Sequence, residues 1–400
     1  MVKNKLLIVT LLFVLVATLS GISAAQFSAR TVGLGDEFVT MTGTDAIYGN
    51  PAAVNVAPHK FVLEFSGAGQ AWNNLLINDY ISESDKDDLL DGGDDLLAGF
   101  AGNQGLKMMI GPVTLVGEAR ESAIIDLSPD VAELLLEGNE IDRTYDFSGT
   151  KGSGAVYGDA GVNFSTEAAK GVAEEWGFKK VYMGFTYHHL TGVIYEMKGS
   201  GETTIEYDQA NSEPNATGSG NFELKYNEDN EASGSALDLG VYAKLNDTYS
   251  VGLSILNLGS LEVDGYHYQE YIYDEEEDIE EDNEGDRDGI LKWDLPTTIR
   301  IGGKMDYNQD TNLYADYSHV SYNGGQTEHK IAAGSEFSKV GWLPLRTGIS
   351  YSTLANEFKW SAGLGLHLGA VKTDLGVSNL LGLFNQAKGG KVALTTKLEF

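Results

Sequence analysis

The most charged stretch of the sequence is Asp274–Asp288, in which eleven of fifteen residues are acidic. Carboxylate oxygens are the hard ligands that calcium prefers, and Asp286-x-Asp288-Gly289 matches the first half of a calcium-binding loop, although the later glutamate of an EF-hand is missing. Asp286 and Asp288 are therefore candidate Ca²⁺ ligands, and no other cofactor is expected. A solvated, self-repelling loop or an adaptation to salt explains the same composition, so both interpretations stay open.

No catalytic constellation is apparent. The seven histidines are scattered, and the one adjacent pair, His188-His189, would point to opposite faces of a strand. The sequence contains no Gly-x-Ser-x-Gly, His-Glu-x-x-His or phosphate-binding loop, and the absence of cysteine removes disulfides, thiolate metal sites and cysteine nucleophiles. A net charge of −32 disfavours nucleic acid, which needs a basic surface. We therefore expect neither an enzyme nor a nucleic-acid-binding protein.

A second set of charged residues alternates with apolar or small residues, and it consists of Glu118, Arg120, Arg300, Lys304, Asp306, Arg346, Lys397 and Glu399. On the lipid face of a membrane barrel, Arg or Lys costs roughly 2–4 kcal/mol at the midplane. If these segments cross a membrane, the charged face is therefore the inside. There the charges either line a pore or bind a plug. Because both signs are present, we favour plug binding, with Arg120, Arg300, Lys304 and Arg346 as candidate binding residues.

The elements that carry these charges are short segments of alternating character. In the last segment, Lys391–Phe400, Leu394 and Leu398 share one face, and Ala393 and Lys397 share the other. Similar segments lie at 156–164, 181–188, 236–245, 299–307, 345–351 and 362–369. Repeated segments of about ten residues, apolar on one face and polar or glycine on the other, are typical of outer-membrane barrels. A β-sandwich is the alternative, but it would gather large residues in one core.

These observations predict an all-β protein, a transmembrane antiparallel β-barrel of 12–16 strands, in the bacterial outer membrane. Residues 1–25 are predicted to be a signal peptide, because Lys3 and Lys5 precede the apolar run Leu6–Leu19 and the cleavage motif Ser23-Ala24-Ala25. An uncleaved anchor is the alternative, but the run is short for a spanning helix of about 20 residues. Residues 59–400 are the predicted barrel, with a long acidic extracellular loop at 266–290.

Two motifs occur within residues 26–58: Ala-Arg-x-x-Gly-x-Gly-x-x-Phe-Val from Ala29, and Asp-Ala-x-x-x-Asn-Pro-Ala from Asp45. Together they resemble the N-terminal signature of the FadL / OMPP1 / PorV-like outer-membrane superfamily, which includes TraF-like proteins. The resemblance implies a barrel of about 14 strands, and it implies that residues 26–58 fold inside this barrel as a hatch. Its candidate binding residues are Arg30, Gly33, Gly35, Asp45, Asn50 and Pro51. The chain departs from the signature at Asp36, Glu37 and Gly49, and an ordinary loop with a short helix is the alternative.

The C-terminal third adds to the resemblance. Segments at 295–302, 313–317, 333–337, 345–351 and 362–366 are similar to the last strands of PorV-like members. Phe400 resembles the terminal aromatic residue that the barrel-assembly machinery recognises. The expected partners are therefore outer-membrane lipid, that machinery, and either a hydrophobic small molecule or a secreted protein.

The resemblance implies two functions. A FadL-like channel would take up hydrophobic or amphiphilic small molecules passively, gated by the hatch. A PorV- or TraF-like barrel would instead dock proteins in a secretion or surface-assembly system. A transporter needs an apolar pocket or a lateral gap continuous with the hatch, whereas a docking barrel needs a filled lumen. The interior therefore discriminates between the two, and a bulged strand beside residues 30–50 would favour transport.

Overall fold

The structure is a computed structural model that describes residues 27–56, 61–75, 86, 89–175, 177–208, 213–228, 230–273, 279–381 and 388–400. The predicted signal peptide, residues 26, 57 and 58 of the predicted hatch, and residues 274–278 of the acidic stretch lie outside this range. The signal peptide stays a prediction.

The described chain is mostly strand. Its helices are α1 (Ala29–Leu34), α2 (Pro129–Leu136) and α3 (Lys170–Glu175), with 3-10 turns at Thr44–Tyr48 and Pro51–Ala53. The strands are β1 (Phe61–Asn73), β2 (Leu96–Ile110), β3 (Val113–Leu127), β4 (Arg143–Asp146), β5 (Lys151–Glu167), β6 (Lys180–Asp208), β7 (Glu213–Tyr226), β8 (Ala232–Lys244), β9 (Tyr249–Tyr273), β10 (Ile279–Asp294), β11 (Thr297–Asn308), β12 (Thr311–Ser321), β13 (Thr327–Phe337), β14 (Leu345–Ser352), β15 (Glu357–Leu368), β16 (Val371–Ser378) and β17 (Gly389–Glu399).

Fourteen strands of the described chain form a closed antiparallel ring. Its order is β1, β2, β3, β5, β6, β8, β9, β11, β12, β13, β14, β15, β16 and β17. The ring closes where β17 pairs with β1, from Glu399 opposite Val62 to Gly389 opposite Trp72. The predicted barrel of about 14 strands is confirmed.

The other three strands, β4, β7 and β10, extend one rim. They pair with the distal halves of β6 and β9, giving a small sheet in the order β4, β6, β7, β9, β10. The opposite rim carries both ends of the barrel sequence and short turns such as Gly111-Pro112. Periplasmic turns are short in such barrels, so the small sheet is extracellular.

The outer surface of the ring is apolar. Phe65, Ile301, Ile331 and Leu394 are each more than half exposed. Such a continuous apolar belt on a closed barrel is a lipid-facing surface. The predicted location in the bacterial outer membrane is confirmed. Among the described residues, no helix is long and apolar enough to cross a membrane.

Residues 27–56, called the hatch below, lie inside the ring. Helix α1 packs against β14, β15, β16 and β17, while the turn Pro51–Ala53 packs against β5, β6 and β8. The hatch therefore crosses the lumen from one wall to the other. Most of its side chains are buried, including Phe38, Met41 and Tyr48.

The acidic stretch differs from the expected loop. Residues 266–273 continue β9 and residues 279–290 belong to β10, so the two flanks form a paired hairpin. Its ladder contains register shifts between Glu281 and Asn283 and between Arg287 and Ile290. The paired acidic residues of this stretch of β10 lie opposite Ile272, Tyr271, Gln269 and His267 of β9, so no two carboxylates repel each other directly across this ladder.

Candidate functional site: the hatch and its seat in the lumen

Helix α1 is held against the wall by glycines. Gly334 lies opposite Gly348 on β13 and β14, and Gly363 lies opposite Gly376 on β15 and β16. We call these four residues the first glycine seat. A methyl group on Gly33 would lie 2.7 Å from the Cα of Gly363. The helix and the sheet therefore touch backbone to backbone, which only glycine permits. Helix α1 ends at Gly35, whose φ of 109° is left-handed.

The other end of the hatch rests on a second glycine seat, formed by Gly184, Gly240 and Gly252 on β6, β8 and β9. A methyl group on Gly184 would lie 2.6 Å from the carbonyl oxygen of Pro51. Asn50 donates from Nδ2 to the carbonyl oxygen of Val241 in the wall, at 3.0 Å, and accepts from the backbone N–H of Ala52, also at 3.0 Å. The Asn-Pro motif therefore starts the 3-10 turn and bonds it to the wall.

Arg30 anchors α1 through its guanidinium. It donates from Nε and Nη2 to the two carboxylate oxygens of Glu336, at 2.8 and 2.7 Å. Glu336 also accepts from Nε of Arg346 at 2.7 Å, and Arg346 donates from Nη1 to Asp374 at 2.6 Å. Arg346, one of the wall charges predicted to bind a plug, thus belongs to a chain of ion pairs that runs from the hatch into the wall.

Asp45 links the hatch to the strands on which the barrel closes. Its carboxylate lies 2.6 Å from Nζ of Lys397 and 3.6 Å from Arg30. Lys397 also faces Glu64 at 3.3 Å, and Glu64 pairs with Lys107 at 2.6 Å. Glu64 and Lys107 are fully buried. Because one partner alone would be an uncompensated buried charge, these groups depend on each other.

The chain of charges continues around the ring. Arg120 lies 3.2 Å from Glu118 and 2.6 Å from Asp159. Both ring nitrogens of His188 face carboxylates, Nδ1 that of Asp159 at 2.8 Å and Nε2 that of Asp238 at 3.1 Å. A ring that donates on both sides carries a positive charge. His188 thereby joins β5, β6 and β8 at one level of the lumen.

Arg300 of β11 binds the middle of the hatch. It donates to the backbone carbonyl of Glu37, and its Nη1 lies 3.6 Å from Asp36. Burial and the adjacent Asp36 carboxylate raise the pKa of Glu37 to about 8. At neutral pH, Glu37 is therefore protonated while Asp36 carries the charge that Arg300 neutralises. Asp36 and Glu37, two of the three departures from the family signature, thus contact β11.

An apolar cluster occupies the lumen on the extracellular side of the charged level. Its buried residues are Ala155, Tyr157, Leu190, Ile194, Ala232, Ala236, Leu261, Val263, Leu291, Trp293 and Leu295. The ring of Trp293, on β10, lies 5.8 Å from that of Tyr157, on β5. Along β5, Tyr157 belongs to this cluster, Asp159 to the charged level, and Asn163 bonds to Pro51 of the hatch. From the extracellular side inward, the lumen therefore contains the apolar cluster, the charged level and then the hatch.

The wall is irregular at the charged level. Between β8 and β9, Leu237 lies opposite Leu258, but Leu239 lies opposite Ile255, so β9 contains one extra residue. Asn257 has a φ of 62°, and its N–H donates to Oδ1 of Asp238 at 2.6 Å. This is a β-bulge, a feature that commonly re-aims side chains near functional sites.

On the lipid side, these strands carry a groove of about 430 Å³. It is lined by Phe164, Thr166, Met183, Gly184, Phe185, Leu239, Gly240, Val241, Leu253, Ser254 and Ile255. Ser254 also donates to the carbonyl of Gly49 in the hatch at 2.6 Å. The groove and the hatch are thus separated by the wall backbone alone.

The structure brings together most of the predicted binding residues. Arg30, Gly33, Gly35, Asp45, Asn50 and Pro51 lie in the hatch, Arg300 contacts it, and Arg346 reaches it through Glu336. Arg120 reaches it through Glu118, which accepts from the hydroxyl of Tyr48. Lys304 is paired with Asp306 at 2.7 Å on β11 and is not brought to the hatch.

The candidate Ca²⁺ ligands stay a prediction. Asp286 lies 3.1 Å from Nδ1 of His267, and the part of the chain that the structure describes contains no group of three or more acidic or histidine side chains arranged for a metal ion.

Several residues of the site were not found from the sequence, namely Glu64, Lys107, Asp159, Asp238, Glu336 and Asp374. Each lies on the inward face of its strand, so strand parity was an available signal. Parity does not show which of these charges meet, however, because the contacts cross several strands.

Comparison with known proteins agrees with this architecture. The Pseudomonas aeruginosa FadL homologue matches with a TM-score of 0.59 and 11% identity, over 95% of this chain and 100% of that one. The Ralstonia pickettii toluene transporter TbuX matches with a TM-score of 0.57 and 11% identity, over 95% and 99%. The Pseudomonas putida toluene transporter TodX gives 0.54 and 11%, over 94% and 98%. At this identity the matches establish a FadL-type barrel fold alone.

No curated protein matches the sequence. Residues 55–376 match a family described as a family of unknown function, DUF5723. Since this match spans most of the chain, the protein belongs to the DUF5723 family, with a barrel of the FadL type.

Proposed function

We propose that the protein is a passive outer-membrane channel for hydrophobic or amphiphilic small molecules, in which the hatch controls a lateral exit through the barrel wall. One observation carries the proposal. Gly184, Gly240 and Ser254 border the apolar groove on the lipid side, and each also contacts the hatch on the lumen side.

The entry side is the extracellular rim. The apolar cluster around Tyr157, Leu190 and Trp293 offers an apolar solute a binding region above the hatch. Solved structures of this fold include two toluene transporters, which supports this solute class.

A straight path into the periplasm is unfavourable for such a solute. Below the cluster it would meet the level of Asp159, His188 and Asp238, where an apolar solute would displace the partners of buried charges. The bulge at Asn257 lies at the same level, beside the groove-lining Leu239 and Ile255. Movement sideways into the outer leaflet avoids the charged level.

The hatch supports the wall at this point. Asn50 bonds to the carbonyl of Val241 on β8, and Gly49 accepts from Ser254 on β9. Movement of residues 49–52 would remove both contacts from the two strands that flank the bulge. Hatch position and wall opening are thereby coupled.

The test removes the bulge of β9 at Asn257. Deletion of Asn257 restores equal residue numbers between the paired positions of β8 and β9, whereas Asn257→Gly keeps a positive φ and with it the bulge. Entry of an apolar fluorescent probe is measured in intact cells that produce each variant at equal levels. We expect faster entry with the wild type and Asn257→Gly, and background entry with the deletion.

Heat-modifiable migration in gels shows that each variant forms a barrel. If the wild type does not accelerate probe entry, or if the folded deletion variant matches it, the transport proposal is wrong. A docking barrel then becomes the leading interpretation.

A further inference from the structure

A cavity lies on the other side of the lumen. It has a volume of about 30 Å³ and lies where Asp36 of the hatch faces the extracellular halves of β13, β15 and β17. Its charged lining residues are Asp36, Glu328, Lys330, Lys359 and Lys391. On this measure of volume a cavity needs about 10–15 Å³ to hold one water molecule, so this one has room for a small ion but not for a large organic anion.

The three lysines are poorly matched to their carboxylate partners. Nζ of Lys330 lies 3.3 Å from Glu328, Nζ of Lys359 lies 3.9 Å from Glu357, and Nζ of Lys391 lies 3.9 Å from Asp36. Hydrogen bonds from N–H to oxygen are about 2.7–3.2 Å long. Buried ammonium groups need close partners, and these carboxylates stand too far away to bond fully.

Lys391 shows this most clearly. It is more than nine-tenths buried, and its Nζ lies 3.8 Å from the ring centroid of Phe27. An aromatic face stabilises an ammonium group only partly, by roughly 0.5–2 kcal/mol. The remaining donors of Lys391 are available to a ligand in the cavity that it lines.

The charges of the lining do not cancel. Three ammonium groups face two carboxylates, those of Asp36 and Glu328, which leaves one positive charge. Two further charged groups lie within 4 Å of the lining, Arg300 beside Asp36 and Glu357 beside Lys359. Their charges are opposite and cancel. The excess therefore equals the charge of a single monovalent anion.

We propose that this cavity is a binding site for one small monovalent anion of halide size, held between the hatch and the barrel wall. Like charges on Lys330, Lys359 and Lys391 repel each other, and an anion among them converts that repulsion into attraction. Because the lining is shared by the hatch and the wall, the site is complete only when the hatch is seated, and a bound anion therefore stabilises that arrangement. This inference does not depend on which solute the channel carries.

The experiment compares halides with an anion too large for the cavity. Thermal unfolding of the purified protein in detergent is followed in sodium chloride, bromide and gluconate at equal ionic strength, so that general screening is constant. We expect a higher midpoint in the two halides than in gluconate. In crystals grown with bromide, anomalous scattering locates the ion among the three lysines.

Two variants move the charge balance in opposite directions. Lys359→Met removes the excess charge, so the halide effect should be lost. Glu328→Gln keeps hydrogen-bonding groups toward Tyr322 and Ser352 but doubles the excess, so the halide effect should grow. Lys304→Met is the matched control, because Lys304 faces the lumen away from this cavity, and it should respond as the wild type does.

Three results would overturn the proposal. The first is a wild-type unfolding midpoint that is equal in halide and gluconate. The second is a set of bromide peaks that all lie outside the cavity. The third is a halide effect that Lys359→Met retains and Glu328→Gln does not increase. In that case one of the three lysines is neutral, and the lining has no excess charge for an anion to balance.

Discussion

Arg30 of the hatch and Glu336 of β13 form a two-point ion pair, with Nε–Oε2 and Nη2–Oε1 distances of 2.8 and 2.7 Å. Parallel N–H···O bonds of this kind fix direction as well as distance. Glu336 is itself held by Arg346, so the carboxylate cannot follow a moving hatch. The pair therefore fixes α1 to a rigid part of the wall.

Arg30→Met is expected to loosen the hatch without unfolding the barrel, because Glu336 keeps Arg346 and Asp45 keeps Lys397. Removing one partner of a buried pair costs about 3–5 kcal/mol, and less here because the Arg30 side chain is 21% exposed. The natural sequence contains no cysteine, so Val32→Cys, at a buried position of α1, gives a single labelling site. Maleimide labelling at this site should accelerate in the Arg30→Met background.

Lys304→Met is the control for this measurement, since it removes a lumen-facing cation that is paired with Asp306 on its own strand. Equal labelling rates in the two backgrounds would show that the Arg30 pair does not hold the hatch.

Gly363→Ala is expected to displace α1. A methyl group on Gly363 would lie 2.9 Å from the Cα of Gly33 and 3.1 Å from the carbonyl oxygen of Leu375, and backbone on both sides cannot give way easily. Overpacking of this kind typically costs 1–3 kcal/mol. Gly117→Ala is the matched control, because a methyl group there meets nothing within 4 Å. Labelling of Val32→Cys should be faster with Gly363→Ala than with Gly117→Ala, and equal rates would contradict close packing of α1 on β15.

The barrel was predictable because strand alternation has a period of two, and this period assigned Arg300 and Arg346 to the lumen before any contact was known. The contacts themselves were not predictable. Asn50 meets the carbonyl of Val241, 191 residues away, and no local pattern encodes that distance. Gly363 was placed on the inward face from the sequence, but only the fold shows that this face receives Gly33. The acidic composition predicted a loop, but residues 279–287 pair with β9.

Lys107→Met is expected to destabilise the whole barrel. Lys107 and Glu64 lie on adjacent strands, 2.6 Å apart and fully buried, and removing one charge leaves the other with only Lys397 at 3.3 Å. A loss of about 3–5 kcal/mol is expected in the free energy of unfolding, measured with urea on refolded protein. Lys180→Met is the control, because its pair with Glu167 is exposed on both sides and is worth about 0–1 kcal/mol.

The double variant Lys107→Met/Glu64→Gln should recover part of this loss, because the second change removes the uncompensated carboxylate. If Lys107→Met and Lys180→Met shift the unfolding midpoint equally, the buried chain of charges does not stabilise the barrel.

The hatch should become less stable at alkaline pH through Glu37. Burial and the neighbouring Asp36 raise the pKa of Glu37 from 4.5 to about 8. A carboxyl group whose pKa is raised in the folded state favours the protonated form. Its contribution to stability is therefore complete below the unfolded value and is lost as the pH rises through about 8. The urea midpoint of the wild type should fall between pH 6.5 and 9.

The urea midpoint of Glu37→Gln should fall less over this range, because the glutamine stays neutral and keeps an acceptor for Thr31. Glu206→Gln, at an exposed position of β6, is the control. Its urea midpoint should fall as much as that of the wild type. A Glu37→Gln variant with the wild-type pH dependence would show that another group titrates in this range.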